Sequence, residues 1–276
     1  MNLATVGAEL EADRYVVNDY LSRLLSVEAD RANGAVQEAM GYAVLGSAQR
    51  IRPILALRVA RMLRSEDESV LRAAASVELL HCASLIVDDL PCMDDADLRR
   101  NQPAVHIRFG EANAVLAAFG LVALAARTLV ECEGGEDCRQ ALACFQIRLL
   151  RSLDCSGLIA GQALDLHFAG QQGLRTQHSV TELKTVPLFH LAVSAGSLLA
   201  TLNPDERALL DCFGREFGLA FQMTDDLIDG DDVEIGCLHE KFGMMRAAAG
   251  AFGPRRRNLE ELVDYLDARV PLTLRQ

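Results

Sequence analysis

Apolar side chains recur at steps of three and four residues through nearly all of this chain, as in Leu71, Ala74, Ala75, Leu79, Cys82 and Ile86. That spacing puts them on one face of a helix, and no stretch alternates apolar and polar residues for long enough to make a half-buried strand. The pattern predicts helices over about 8–25, 33–45, 50–64, 68–90, 111–131, 137–152, 155–169, 179–200, 205–229 and 255–268. Breaks are expected at Gly134-Gly135, Gly170 to Gly173, Asn203-Pro204 and Gly253-Pro254. With 276 residues, half of them apolar, the chain can bury a proper core and is too apolar to be disordered. No linker or repeat divides it, so residues 1–276 read as one all-α domain. Large helical bundles carry their sites on side chains that project inward from facing helices.

The charge balance is acidic, 39 Asp and Glu against 27 Lys and Arg, which argues against a general nucleic-acid binder with its basic face. The eight cysteines form no CxxC pair and have no His partners at zinc-ligand spacing, so they read as reduced thiols. The start of the chain lacks both a basic segment followed by an apolar core and the composition of a transit peptide, from which a cytoplasmic address is expected. The longest apolar run, Ala114 to Ala126, falls short of the roughly 20 residues of a membrane span and reads as a core helix.

Two acid clusters interrupt apolar helices. The first is Asp88-Asp89-Leu90-Pro91-Cys92-Met93-Asp94-Asp95-Ala96-Asp97, and the second runs from Asp225-Asp226 through Asp229 to Asp231-Asp232. Carboxylates this dense raise one another's pKa unless a cation stands among them. Asp225 and Asp229 are four apart and share a helix face. Pro91 ends the helix before Asp94, so a local bulge is needed for Asp88 and Asp94 to face one point. Oxygen-only donors without His or Cys suit a hard cation, and Mg2+ typically completes its shell with water and substrate phosphates. Arg99-Arg100, Arg50 with Arg52, and Lys184-Thr185 supply the bases that diphosphates require.

DDLPCMDDADLRR at 88–100 together with FQMTDDLID at 221–229 resembles the two aspartate-rich motifs of trans-isoprenyl diphosphate synthases. RIRP at 50–53, HCASLIVDD at 81–89, GQALDL at 161–166 and KT at 184–185 stand in the family's order. Bacterial short-chain synthases of the geranylgeranyl type are most similar, with two extra residues in the first acidic motif and a small residue five positions before it. The resemblance implies an all-α isoprenoid synthase fold, a large helical bundle with a central cavity, usually homodimeric. It implies a Mg2+-dependent prenyltransferase with three Mg2+ per active site. Isopentenyl diphosphate would be condensed with dimethylallyl, geranyl or farnesyl diphosphate to give geranylgeranyl diphosphate.

By the same resemblance, Asp88 and Asp94, supported by Asp89 and Asp95, would hold two Mg2+, and Asp225 with Asp229 a third. Arg99, Lys184, Thr185 and Gln222 match positions that contact the allylic diphosphate, and Arg52, His81 and Arg100 those that grip isopentenyl diphosphate. Gln49 stands where the family usually has a Lys of that second clamp, and Val87 where a His is frequent. Gln162 and Asp165 match a motif of the cavity wall. Ala83 and Ser84, one helical turn above Asp88, would set the chain-length floor, and their small size implies growth to twenty carbons. The stretch 230–246 lacks the family's usual lysine pattern, with Lys241 or Arg246 as the candidate replacements. Two other classes remain as alternatives. One is a non-catalytic subunit of a heteromeric synthase. The other is a terpene cyclase, whose second metal motif would need an acid at Val233.

Overall fold

A computed structural model describes residues 3–31, 34–131, 135–167 and 180–271. Twelve α-helices dominate them: α1 Leu3–Arg31, α2 Ala35–Leu45, α3 Ile51–Leu63, α4 Glu68–Asp88, α5 Val105–Phe109, α6 Glu111–Val130, α7 Glu136–Leu153, α8 Leu158–His167, α9 Val186–Gly196, α10 Pro204–Asp229, α11 Ile235–Gly250 and α12 Arg257–Asp267. A single antiparallel hairpin, β1 Leu98–Arg99 with β2 Gln102–Pro103, follows the first acid cluster. The all-α expectation therefore holds, with three local differences. The expected helix 179–200 is broken at Thr185, α11 fills a stretch read as non-helical, and the hairpin and α5 were not foreseen. The expected break at Gly170 to Gly173 lies outside the described residues.

Local chemistry sets the helix ends that matter for the site. Asp67 accepts from the Ser69 amide at 2.8 Å and starts α4. Asn203 and Glu206 form a reciprocal capping box with Pro204 in the first turn, which fixes the start of α10. At the other end of α10, Gly230 takes φ +93, a left-handed conformation that only glycine adopts cheaply, directly after Asp229.

The interior divides into two apolar clusters that share α3 and α9. The first, rich in Ala and Leu, packs α4 on α6 with α1, α2 and α7 around them. The second carries six buried phenylalanines, Phe189, Phe213, Phe217, Phe221, Phe242 and Phe252, between α3, α9, α10, α11 and α12. At the crossing of α3 and α9, a Cβ on Gly196 would sit 2.3 Å from the Ala56 carbonyl, so only glycine permits that approach. Both α4 and α6 are long and apolar enough to cross a membrane, so the reading of the α6 run as too short does not hold for the helix as formed; α4 is mostly buried within the bundle and α6 about half so.

Arg58 of α3 is fully buried and donates to Asp13 of α1 at 2.5 Å and to Glu261 of α12 at 2.6 Å. One guanidinium thus ties the first and last helices to the middle of the chain. Replacing it with Leu would leave the buried Asp13 and Glu261 carboxylates only their more exposed partners Arg61 and Arg257, a loss of up to about 3 kcal/mol, the lower end for broken buried pairs. Arg58→Leu is expected to lower the urea midpoint accordingly, and an unchanged midpoint would show the network to be dispensable.

Candidate active site

The end of α4 and the end of α10 are the two places where acids replace the apolar pattern, and the fold brings them to one mouth. Below Asp88, the chain reverses without a helical bulge. The Met93 amide donates to the Leu90 carbonyl at 2.8 Å, and the Asp94 amide donates back to the Asp88 carbonyl at 2.9 Å. The loop therefore folds onto the helix end, which brings Asp94 close enough to oppose ionisation of Asp88. Asp95, at φ +51, turns the chain outward, and it and Asp94 are both exposed.

The hairpin supplies the first cation. Its two central residues, Arg100 and Asn101, have φ +54 and +62, the signature of a type I′ turn. This tight turn aims Arg99 back at the helix end, where its Nε donates to Asp89 Oδ1 at 2.9 Å. Asp89 is 2% exposed, so it pairs with Arg99 inside the structure rather than facing the mouth. Arg100 projects charge toward Arg52 and His81.

Residues 180–184 are helical, and the break at Thr185 lets neighbouring side chains point to opposite acid clusters. Lys184 Nζ lies 2.9 Å from Asp165 Oδ2 and 3.5 Å from Asp88 Oδ2. Thr185 Oγ1 is 3.1 Å from Gln222 Oε1 on α10, and Gln222 Nε2 donates to Asp226 at 2.8 Å. Through this pair of residues the two acidic helix ends face each other. Burial pushes the Asp88 carboxyl up to about 6, against the pull of Lys184 and with the push of Asp94. Asp225 is also raised, by burial first and Asp229 next, while Arg269 opposes the shift.

Arg52, on the first turn of α3, is buried against Phe189, 4.6 Å from Cζ to the ring centroid, and also faces Phe221 at 5.9 Å. Its Nη1 lies 3.2 Å from His81 Nε2. Burial and the surrounding arginines hold His81 well below the usual imidazole range, so it is neutral and accepts from Arg52. Burial lowers Arg52 itself to about 10, which leaves it charged at neutral pH. The Arg52 Nε is buried and has no hydrogen-bond partner among the described residues. Arg50 has a different task, since it pairs with buried Glu78 at 2.7 Å inside the scaffold. Gln49 is exposed on the same loop.

Behind the acidic mouth lies an apolar cavity of about 500 Å³, within the range of about 300–1,000 Å³ typical of ligand sites. Lys184, Val87, Leu90 and Met93 line it near Asp88, and Ala83 and Ser84 line it one turn deeper on α4. The cavity continues past them to Leu80, with Val115, Ala118, Phe119 and Val122 from α6 and Leu158, Ile159 and Gln162 from the α8 side. Both polar atoms of Gln162 are buried without a partner among the described residues, facing this otherwise apolar space.

Two expectations are corrected. Lys241 pairs with buried Glu216 at 3.0 Å, and Arg246 with Asp264 and Asp267 at 2.6 and 3.1 Å. Each serves the packing of α11 on its neighbours, so neither replaces a site lysine. The cation that does touch the second acid cluster is Arg269, just beyond α12, whose Nη2 lies 2.6 Å from Asp225 Oδ1. No motif marks Arg269 in the sequence; only its place at the end of a strongly amphipathic helix, Leu259 to Leu266, gives a signal.

Comparison with known proteins agrees with this geometry. The model of the polyprenyl synthetase family matches residues 33–235. The chain is 35% identical over 269 residues to a geranylgeranyl diphosphate synthase from Pseudescherichia vulneris, covering 95% of this chain and 85% of that protein. Against geranylgeranyl pyrophosphate synthase 11, chloroplastic, from Arabidopsis thaliana, identity is 33%, over 86% of this chain and 72% of the relative. The fold is similar to a crystal structure of an FPP/GFPP synthase from Zymomonas mobilis, with TM-score 0.86, 30% identity, and 96% and 99% of the two chains covered. It is similar as well to a geranyltransferase from Legionella pneumophila, with TM-score 0.88 at 28% identity over 97% and 98% of the chains. With its two facing acid clusters and apolar cavity on that fold, the chain belongs to the polyprenyl synthetase family and is a prenyltransferase of isoprenoid biosynthesis.

Proposed function

We propose that the protein condenses isopentenyl diphosphate with dimethylallyl, geranyl or farnesyl diphosphate and releases geranylgeranyl diphosphate. The observation that carries this reading is the apolar cavity of about 500 Å³ opening directly beneath the acidic mouth, with small residues at Ala83 and Ser84 along its wall. The donor set at the mouth, Asp88, Asp94, Asp225 and Asp229, with Asp89 buried behind it and Asp95 exposed beside it, is oxygen only, which fits a hard divalent cation such as Mg2+. Among the described residues no three such side chains already converge as a ready-made metal site. Lys184 and Arg269 instead stand against Asp88 and Asp225.

Bound Mg2+, three ions in the full proposal, would neutralise the charge that develops on the departing diphosphate. Lys184, Thr185 and Gln222, which stand between the two acid clusters, and Arg99, which stands beside the first, would orient the allylic diphosphate. Arg52, with its unpartnered Nε, and Arg100 hold the diphosphate of isopentenyl diphosphate, and neutral His81 keeps the Arg52 guanidinium in position. The allylic carbon–oxygen bond breaks, the isopentenyl double bond attacks the resulting carbocation, and the proton that is lost passes to the released diphosphate. Positioning of the two substrates supplies much of the rate. The apolar wall excludes water that would quench the cation. We further propose a cytoplasmic homodimer. The free thiols suit a reducing compartment, and α6 exposes Leu116 and Phe119 on a face that a second copy would cover.

Incubation with labelled isopentenyl diphosphate, Mg2+ and each allylic primer is expected to give a twenty-carbon product, and no elongation with any primer would overturn the reading. Ser84→Phe or Ala83→Phe would fill the cavity at mid-depth and is expected to shift the product to farnesyl diphosphate; an unchanged chain length would count against this wall as the ruler.

The raised Asp88 also has a sign that can be checked. Its carboxyl titrates at about 6 in the folded chain and at about 3.9 in an unfolded one. Folding therefore favours the protonated form, so this group's contribution to stability is full below the unfolded value and is lost as pH rises through about 6. Without metal, Asp88→Asn is expected to exceed the parent's stability by roughly 1–3 kcal/mol at about pH 8 and to match it near pH 4, in urea titrations. Equal stability at both would contradict the burial argument. The same variant is expected to lose turnover.

A further inference from the structure

One polar side chain facing the apolar cavity is left without a bond. Among the polar residues that line this space, Ser84 donates its hydroxyl to the His81 carbonyl at 2.8 Å, and Lys184 stands against Asp165 and Asp88. Gln162 differs from both. Its Oε1 and Nε2 are buried, and neither has a hydrogen-bond partner among the described residues. A buried amide in that condition is unfavourable, and it marks a place where a partner arrives during function.

Helix α8 fixes how deep the amide lies. Asp165, three residues later, reaches Lys184 at the mouth, whereas Leu158 and Ile159, about one turn earlier, line the apolar part of the cavity. Gln162 therefore stands on the boundary between the charged mouth and the apolar depth, roughly 4.5 Å along the helix axis from Asp165. Its neighbour Gly161 makes the approach close. A Cβ there would sit 2.9 Å from the Leu183 carbonyl carbon and the Lys184 amide nitrogen, so glycine lets the backbone of α8 press against the segment that carries Lys184.

The hydrocarbon of a prenyl substrate has neither donor nor acceptor, so it covers the amide without satisfying it. A water molecule would satisfy it and would also quench the allylic cation. When the allylic carbon–oxygen bond breaks, its electron pair leaves with the diphosphate and positive charge spreads over both ends of the allyl group, just inside the mouth. An amide oxygen then gains an interaction that it lacks with the intact substrate, which is the condition for lowering a barrier. Its neutrality counts as well, since a carboxylate at this depth would be costly to bury and would attack the cation more readily. We infer that Gln162 is a catalytic residue of the ionisation step, whose unpaired Oε1 faces the allylic carbocation and stabilises it. The inference rests on the proposed function, which supplies that carbocation.

Two analogues that differ only in charge test it. In 2-(dimethylammonio)ethyl diphosphate a cationic nitrogen replaces the carbon that bears the developing charge, and 3-methylbutyl diphosphate is its neutral counterpart; neither ionises at the carbon–oxygen bond. Each is titrated with Mg2+ into the full-length protein by calorimetry. In Gln162→Met, which keeps the side-chain length and removes both polar atoms, the ammonium analogue is expected to bind about tenfold more weakly than in the parent, with the neutral one unchanged. Under single-turnover conditions at saturating substrates, condensation in the variant is expected to slow about tenfold or more. Equal losses for the two analogues would make Gln162 a packing group, and an undiminished single-turnover rate would remove it from the step; either result overturns the inference. A parent that binds neither analogue and elongates no primer would overturn the functional reading beneath it. Should Gln162→Met fail to fold by circular dichroism, Gln162→Leu is read by the same measurements.

Discussion

Carboxylates crowded at the ends of two helices repel one another, and the arrangement of the rest of the site follows from how this chain restrains them. Three cations drawn from different elements restrain the two clusters: Arg99 from the hairpin holds Asp89, Lys184 reaches Asp88, and Arg269 beyond the last helix holds Asp225. All three pairs are partly shielded from water, where opposite charges interact more strongly than on an open surface. The cost is still visible, because Asp88 and Asp225 remain raised in spite of their partners. The mouth is therefore organised by intramolecular cations yet not satisfied by them. A divalent cation meets carboxylates already gathered and only loosely neutralised.

The two halves of the interior divide the work that such a site demands. Aromatic rings concentrate around α9 and α10, where the touching rings of Phe189 and Phe221 lie on one side of the Arg52 guanidinium and hold a buried charge in place. The half between α4, α6 and α8 is built from Ala, Leu and Val, and that is where the cavity lies. Small side chains let α4 and α6 pack closely along one side and leave volume along the other, which a Phe at Ser84 or Ala118 would remove. Rigidity and room thus occupy separate parts of one bundle, joined through α3 and α9.

Much of this was readable from residue spacing. The apolar period marks α4, α6 and α10 to within a few residues, because long helices with a buried stripe leave a strong signal. The approach of Asp94 to Asp88 was readable only as a need, since the curl depends on backbone hydrogen bonds from the loop amides to Leu90 and Asp88. The hairpin escaped because Arg100 and Asn101 adopt positive φ without the glycine that usually announces a type I′ turn. Helix α11 keeps helical spacing at Leu238, Phe242, Met245 and Ala249, but Gly236, Gly243 and Gly250 blur it and the interrupted lysine pattern drew attention elsewhere. Arg269 lies more than forty residues from Asp225, and long-range pairing of this kind is set by how α12 docks, which no local pattern encodes.

The energetics of Asp88 also bear on whether the chain has kept its chemistry. A scaffold subunit with no turnover gains nothing from a carboxylate that burial makes unfavourable to ionise, and an Asn of the same shape would relieve the strain without disturbing α4. The same holds for Asp225 and Asp226 on the end of α10, and for the orphaned Nε of Arg52 and the amide of Gln162. Several unsatisfied groups, unfavourable for different reasons, converge on one mouth and one cavity, while elsewhere buried Arg50 and Arg58 are paired directly with acids. Acids that burial opposes, gathered where substrates would meet, are what a working prenyltransferase requires. A retired subunit would be under no physical demand to distribute them in that way.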